Sequence, residues 1–246
     1  MSVGLLRVEW SAPPRVGAAF SWRGGGVSGV PWDSLNLGAH VGDAPAAVAE
    51  NRRRLAAALS LPADPLWLQQ VHGAHVLDMD SGSVSASEPA DGAVTRQPGK
   101  VLAILVADCM PVLFASEDGQ VIGAAHAGWR GLAAGVLEAT IAAMNVPAAK
   151  LCAWLGPAIG PEHFEVGAEV RAAFVAGNPA AAAGFSANPR GRWQCDLALL
   201  ARQRLAAAGV QRVTGAALCT ASNPLQCFSF RRDGRTGRMA ALLWRD

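Results

Sequence analysis

Three residues with soft or borderline donor atoms stand at the ends of apolar segments in this sequence. They are His72 in QVHG, Cys109 in ADCMP and His126 in AAHAG. An imidazole gains little at the end of a buried strand unless its ring nitrogens find partners there. One cysteine and two histidines match zinc sites that keep a fourth position open, where zinc lowers the pKa of water to about 7.

The spacing of these residues is also compatible with roles that need no metal. None of the short metal signatures, such as CxxC or HExxH, is present. Cys109 and His126 could instead act as a nucleophile and its general base, or they could simply be buried residues. Asp108, next to Cys109, could orient a ligand, act as a general acid or base, or cap a turn.

Arginines supply candidate anion-binding residues, because a guanidinium can donate two parallel hydrogen bonds to phosphate or carboxylate. We expect Arg235 and Arg238 in SFRRDGRTGR to lie on a solvated turn instead. The remaining candidates for substrate contacts are Arg23, Arg130, Arg231 and Arg232.

Aromatic residues and the other histidines are harder to assign. Trp129 and Phe228 could stack on an aromatic substrate, although either could equally belong to the core. His75 is expected to face away from His72 on a strand, and His40 in NLGAHVGD has no predicted role.

The elements that position these residues follow from the hydrophobic pattern. VLAILVAD is an apolar run of strand length, and PVLFASEDGQVIGAAHAG predicts a hairpin that turns at Asp118-Gly119. If VLAILVAD and VIGAAHAG pair in one sheet, Cys109 and His126 emerge at neighbouring strand ends.

Helices and strands elsewhere mix without a regular βαβ alternation. WRGLAAGVLEATIAAM predicts one amphipathic helix, and Asp43 is expected to cap a helix over APAAVAENRRRLAAALS. The C-terminal segment predicts a strand pair around Asp233-Gly234. This mixture favours a layered fold of the α/β or α+β class.

Composition limits the classes of protein that fit. The chain has 246 residues, of which 51% are hydrophobic, so we expect one domain over residues 1–246. A net charge of +2 does not predict a nucleic-acid partner. We expect neither a signal peptide nor a membrane span. Five cysteines, an odd number, argue against a disulfide framework, so we expect a cytoplasmic location.

Several blocks in order give the chain a resemblance to the YfiH-type laccase-domain family over nearly its whole length. The resemblance implies an α/β sandwich related to cysteine-hydrolase-like proteins. It also implies a metal site with zinc, or alternatively copper, bound by His72, Cys109 and His126. The matching segments are FSWRGGGVSGVPWDSLNLGAHVGD, NRRRL, QVHG, ADCMPVLF, AAHAGWRG, GPAIGPEHFEVG and CFSFRRDGRTGR.

The resemblance implies three different activities. Members look like purine nucleoside phosphorylases that also deaminate adenosine, like copper polyphenol oxidases, or like amidases that edit peptidoglycan precursors. Five histidines without a His-x-His pair cannot furnish several copper centres. We therefore expect a zinc-dependent phosphorylase for adenosine, inosine and methylthioadenosine, with phosphate as co-substrate.

Three alternatives to this phosphorylase stay open. The first is a muropeptide amidase that uses zinc or a Cys109 nucleophile, and the second is a copper-dependent polyphenol oxidase. The third is a structural metal-binding protein without activity. A structural zinc is normally closed by four protein ligands, so an open position would favour an enzyme. We expect a monomer or a weak homodimer.

Overall fold

The computed structural model describes residues 2–82 and 88–246. Within these residues the strands, numbered in chain order, are β1 (Leu5–Arg7), β2 (Val16–Ser21), β3 (Leu66–Trp67), β4 (Val76–Asp78), β5 (Gly92–Thr95), β6 (Val101–Val106), β7 (Met110–Ser116), β8 (Ile122–Ala127), β9 (Leu151–Leu155), β10 (Glu165–Val166), β11 (Phe185–Ala187), β12 (Trp193–Cys195), β13 (Arg212–Gly215) and β14 (Met239–Arg245).

The helices are distributed between these strands. Two short 3-10 segments, Ala148–Lys150 and Pro179–Gly184, accompany them. The α-helices of the described part are α1 (Pro45–Leu59), α2 (Trp129–Ala134), α3 (Val136–Met144), α4 (Ala168–Val175), α5 (Leu197–Ala207) and α6 (Phe230–Asp233). None of the helices in these residues is long and apolar enough to cross a membrane.

Two large sheets form the centre of the fold. One has the strand order β1-β2-β14-β6-β3 and the other the order β13-β9-β7-β8-β5-β4, while β10, β12 and β11 form a small third sheet. Side chains of alternate residues on β6 and β14 point between the two large sheets and form a shared core with Phe20 and Leu113. The two sheets therefore pack face to face as a sandwich.

Helices cover both outer faces of this sandwich. Leu55 of α1 packs against Val101, Leu105 and Leu242 on the outer face of the five-stranded sheet. Residues of α2, α3, α4 and α5 pack against β7, β8 and β9 on the outer face of the six-stranded sheet. Because both faces of the central strands are buried, those strands are continuous apolar runs. The predicted layered α/β fold is confirmed.

The chain crosses from one large sheet to the other at two places that matter for the site. His72 lies in the connection from β3 in the five-stranded sheet to β4 in the six-stranded sheet. Cys109 lies in the short step from the end of β6 to the start of β7, which belong to different sheets. VLAILVAD and VIGAAHAG therefore belong to different sheets and do not pair, although Cys109 and His126 still emerge at neighbouring strand ends.

The structure confirms the predicted hairpin but divides the predicted helix after His126. The hairpin is confirmed, since β7 and β8 pair and the amide of Gly119 donates to the carbonyl of Ser116 at 2.8 Å. The single helix after His126 is wrong, because Gly135, at a φ of +94°, separates α2 from α3.

The predicted cap and the predicted C-terminal strand pair are also wrong. Asp43 does not cap α1, and its carboxylate instead accepts hydrogen bonds from Ser28 and Asn36. The segment around Asp233 forms the single turn α6, which precedes β14.

Candidate metal centre and cleft

His72, Cys109 and His126 converge at one place, with one donor atom from each residue lying within 4.8 Å of the other two. The pairing of Met110 with Ala127 across β7 and β8 brings Cys109 beside His126. The rings of His72 and His126 are 4.8 Å apart between centroids. Among the described residues this is the one group of three or more potential metal ligands.

Asp91 holds both histidines of this group. Its carboxylate is fully buried, and Oδ1 lies 2.8 Å from Nδ1 of His126. The same oxygen accepts the backbone N–H of His72 at 2.9 Å. Oδ2 accepts the amides of Val71 at 3.1 Å and Gly73 at 2.7 Å. With Nδ1 of His126 committed to Asp91, Nε2 is the ring atom left to face Cys109, as in carboxylate–histidine–metal arrangements.

The charges of the group favour a deprotonated thiol. Burial raises the pKa of Cys109, but the charge of His126 and hydrogen bonds from His126 and His72 outweigh it and lower the pKa to about 6. Burial lowers the pKa of His126, whereas the Cys109 thiolate and Asp91 raise it to about 9. Burial also raises the pKa of Asp91, but its hydrogen bonds with His126 and the backbone hold it below the ordinary value. A thiolate is the form of cysteine that binds metals.

The space between the donors fits a metal ion. A Cβ atom on Gly128 would lie 2.9 Å from Sγ of Cys109 and 2.9 Å from Nδ1 of His72, so only a glycine leaves this position free. Tetrahedral zinc with bonds of about 2.0–2.3 Å holds its donors roughly 3.3–3.8 Å apart. This separation falls within the 4.8 Å limit that encloses the three donor atoms. The donor set and the free space at Gly128 both suit zinc.

Adding a methyl group at this position is expected to weaken metal binding. Gly128 has a φ of −65° and a ψ of 161°, so Gly128→Ala introduces no backbone strain. We expect zinc affinity to fall by about 10-fold or more, as for other disturbances of ligand orientation, with little change in melting temperature. Competition with a chromophoric chelator measures the affinity. Gly177→Ala, whose Cβ would meet nothing within 4 Å, is the control. Unchanged affinity in Gly128→Ala would place the metal elsewhere.

Asp108 fixes the short segment between β6 and β7 that carries Cys109. Its backbone has a φ of +91°, in the left-handed region, and its carbonyl accepts the amide of Ile159 at 2.9 Å. Its carboxylate accepts the hydroxyl of Thr220 at 2.6 Å and the amide of Arg231 at 2.7 Å. These contacts hold a strained residue next to Cys109.

A cleft of about 410 Å³ opens onto the three candidate ligands. The side chains that line it include Trp129 and Phe230, and the ring of Phe230 is 59% exposed. A smaller cavity of about 130 Å³ adjoins the cleft and reaches Asp108 and Phe164. Arginines also line the cleft, namely Arg130, Arg231 and Arg238.

The candidate arginines have different surroundings. Arg130 is exposed and its guanidinium lies 4.4 Å from the ring of Trp129. Arg231 lines the cleft while its Nη1 donates to the carbonyls of His163 and Glu165. Arg232 donates to three backbone carbonyls and pairs with Asp233, so it braces the preceding loop.

Two predicted substrate contacts lie away from the cleft. Phe228 is fully buried in the core between the sheets, and its ring would contact a Cβ at Gly237 at 2.7 Å. Arg23 stacks on Phe228 at 4.8 Å and pairs with Asp33. The structure does not bring Phe228 or Arg23 to the candidate ligands, whereas Phe230, two residues later, does line the cleft.

Sequence reasoning missed Asp91, Gly128 and Phe230, and it placed Arg238 on a solvated turn. Asp91 directly precedes an apolar strand, a position that could have been noticed, but its partners are 18–35 residues away in the chain. Arg238 is half-buried rather than solvated, so that expectation is wrong. Arg235 is exposed, as expected.

Comparison with known proteins is consistent with this geometry. A family model described as "Multi-copper polyphenol oxidoreductase laccase" matches residues 17–246. The chain is 52% identical to "Purine nucleoside phosphorylase PA4543" of Pseudomonas aeruginosa over 97% of each chain. It is 50% identical to "Purine nucleoside phosphorylase YfiH" of Escherichia coli over 98% of each chain.

A solved structure shares the whole fold. The protein NMB0706 of Neisseria meningitidis superposes with a TM-score of 0.92 at 43% sequence identity, covering 99% of each chain. The chain therefore belongs to this laccase-domain family, whose YfiH-type members resemble it in sequence and in fold.

Proposed function

We propose that the protein is a zinc-dependent purine nucleoside phosphorylase that acts on adenosine, inosine and methylthioadenosine and deaminates adenosine as a secondary activity. The observation that carries this proposal is the cleft in which three metal donors face arginines and aromatic rings. The names of relatives such as the Pseudomonas aeruginosa protein support the same reaction.

The proposed reaction needs an anion held against the anomeric carbon while the purine leaves from a cation-like sugar. Arg130 and Arg231 line the cleft with guanidinium groups that can bind phosphate through charge-assisted hydrogen bonds. Trp129 and Phe230 offer ring surfaces to the base. When bound, zinc would supply Lewis-acid polarisation and water activation at the same place.

Positioning is the role that we propose for Asp91 and Asp108. Asp91 keeps the imidazole of His126 in one tautomer and fixes the backbone at His72. Both carboxylate oxygens of Asp108 accept hydrogen bonds from the protein, so we assign it to orienting Cys109 rather than to proton transfer. Cys109 and the two histidines would hold the zinc.

The number of donor residues separates this proposal from two alternatives, a structural zinc protein and a multi-centre copper oxidase. The described residues supply three donors to the group, whereas structural zinc is normally closed by four. One three-donor group in the described chain also does not support a multi-centre copper oxidase.

A cysteine-dependent amidase is a second candidate function that a specific observation favours. Cys109, His126 and Asp91 follow one another in hydrogen-bonding order, and the pKa of Cys109 is lowered to about 6. A nucleophile, a base and an orienting carboxylate in this order are typical of covalent hydrolases. In that case Cys109 would attack an amide carbonyl, with His126 as the base.

Omitting phosphate tests the proposed reaction. A phosphorylase consumes phosphate, so we expect adenine release from adenosine to stop without it and ribose 1-phosphate to form when it is restored. Deamination needs only water, so inosine formation should continue in phosphate-free buffer. Chromatography of both products follows the two reactions in one assay. Adenine release at an unchanged rate, with free ribose as co-product, would contradict the proposal.

Replacing Arg130 tests its proposed contact with phosphate. Loss of a charge-assisted contact of about 1.5–3 kcal/mol predicts a roughly 10- to 150-fold fall in phosphorolysis for Arg130→Ala. Deamination should change far less, because it needs no phosphate. Arg53→Ala, which removes a guanidinium from the exposed surface of α1, is the control. An equal fall in both reactions would assign Arg130 to the nucleoside instead.

A further inference from the structure

A second cavity of about 380 Å³ continues from the cleft beyond Phe230. His40, Phe230 and Arg238 line both spaces, so the cavity opens onto the same cleft as the candidate metal ligands. Arg235 and Thr236 line the part farther from those ligands.

Arg238 brings a half-buried positive charge to the boundary between the two spaces. Nη1 donates to the backbone carbonyls of Thr236 and Gly237 at 3.0 Å each. In the described part of the chain no carboxylate forms an ion pair with this guanidinium. Burial lowers the pKa of Arg238, and the charges of Cys109 and Asp108 offset only part of that effect. A partly buried cation without an ion-pair partner is costly, and binding an anion would offset that cost.

Thr236 adds an independent observation. The residue is 2% exposed, and its Oγ1 has no hydrogen-bond partner among the described residues. Buried hydroxyl groups are nearly always hydrogen-bonded, so an unpartnered hydroxyl in a cavity wall is a candidate ligand contact. It lies two residues before Arg238, whose guanidinium binds the Thr236 carbonyl.

The loop that carries His40 is fixed beside Arg238 by buried asparagines. Oδ1 of Asn36 accepts the amides of Gly38 and Arg238, each at 2.9 Å. Nδ2 of Asn51 donates to the Asn36 carbonyl at 2.9 Å. A Cβ on Gly38 would lie 2.8 Å from Cγ of Arg238, so this glycine makes room for the arginine stem. The motif NLGAHVGD therefore supplies one wall of the cavity, and Asn51 of NRRRL fixes that motif in place.

We propose that the cavity formed by His40, Arg238 and Thr236 is a binding site for a phosphate-type anion. Nε and Nη2 of Arg238 are its donors outside the carbonyl contacts of Nη1, the Thr236 hydroxyl can donate a further hydrogen bond, and His40 has a ring nitrogen at the rim. Arg235 adds positive charge at the outer end. The link of this anion to catalysis rests on the proposed function, whereas its binding does not.

Direct titration of inorganic phosphate into the zinc-loaded protein tests the site. We expect saturable binding in the wild type and a loss of affinity of about 10-fold or more in Arg238→Gln, since a charge-assisted contact is removed. Thr236→Val keeps the shape and removes the hydroxyl, and we expect a roughly 2- to 10-fold loss of affinity. Because this hydroxyl has no protein partner in the described residues, the melting temperature should not fall.

Arg53→Gln is the matched control, because it removes one guanidinium from the exposed surface of α1. It should leave phosphate affinity within about twofold of the wild type, as expected for a screened surface charge. If Arg238→Gln does not fold, Thr236→Val decides. Wild-type affinity in both Arg238→Gln and Thr236→Val, or no saturable binding at millimolar phosphate, would overturn the proposal.

The source of the anion is distinguished by two further titrations. If inorganic phosphate is the reactant, it binds together with adenosine, and Arg238→Gln raises the KM for phosphate while sparing deamination. If the substrate itself carries the phosphate, adenosine 5′-monophosphate binds more tightly than adenosine, and Arg238→Gln abolishes the difference. Either result supports the shared site.

Failure of the proposed function would be distinguishable from failure of this site. Adenine release without phosphate, together with phosphate binding that Arg238→Gln abolishes, would reject the phosphorylase and retain the anion site. Adenine release that depends on phosphate, with the KM for phosphate and the phosphate affinity both unchanged in Arg238→Gln, would retain the phosphorylase and reject the anion site.

Discussion

Cys109→Ala is expected to lose both bound zinc and catalytic activity. The thiolate is the strongest donor of the three, and its lowered pKa of about 6 keeps it deprotonated at neutral pH. We expect activity to fall by more than about 100-fold, beyond the 10- to 100-fold effect of residues that only orient a ligand. Metal analysis of the purified variant and assays of both adenine and inosine formation measure the two losses.

Chelation separates a Cys109 ligand from a Cys109 nucleophile, since the alanine variant is inactive in either case. For a ligand, removal of zinc from the wild type abolishes activity and added zinc restores it. For a nucleophile, activity survives thorough chelation and an acyl adduct can be trapped on Cys109. Cys152→Ala, which removes a buried thiol near the start of β9, is the control. Stoichiometric zinc and full turnover in Cys109→Ala would remove this residue from the metal centre.

Asp91→Asn is expected to damage both the fold and the metal centre. The fully buried carboxylate accepts hydrogen bonds from three backbone amides and contacts Nδ1 of His126. In the asparagine variant the side-chain NH2, which is a donor, would replace one of these acceptor oxygens. Breaking such a buried charged contact costs about 3–5 kcal/mol, and zinc affinity should fall about 10- to 100-fold. In a chain of this size the melting temperature should fall by roughly 6–20 °C.

Glu88→Gln is the matched control for Asp91→Asn. Glu88 also bonds a histidine, His75, at 2.9 Å, but both side chains are exposed, so we expect little change in stability or in zinc affinity. Zinc affinity is measured at a temperature at which all variants are folded. If Asp91→Asn were to bind zinc as tightly as the wild type, Asp91 would have only a structural role.

The metal donors were accessible to sequence reasoning because they stand out by residue type. His72, Cys109 and His126 interrupt apolar segments, and an isolated polar group there needs a partner. The β7–β8 hairpin was equally accessible, because an Asp-Gly turn between two apolar runs is a local signal. The first inference depends on residue type in an apolar segment, and the second depends on residues that are close in sequence.

The contacts that complete the site depend on residues far apart in sequence. Asp91 meets His126 across 35 residues, and Asn36 meets Arg238 across 202 residues. Periodicity does not reveal such pairs, because they depend on which strands and loops the fold places side by side. Asp91 and His126, for example, lie opposite each other where β5 pairs with β8. The break at Gly135 was missed for a different reason, since helical spacing continues through it while its φ of +94° does not.

The crossings of the chain between the two large sheets have a consequence for how the protein matures. His72 and Cys109 each lie on a crossing, and His126 lies inside the six-stranded sheet. The chain therefore ties two of the three donors to both sheets, and a half-assembled intermediate leaves the positions of His72 and Cys109 unfixed. Zinc uptake should come late in folding, after the sheets have docked. The bound ion would then stabilise the docked sheets and slow their separation.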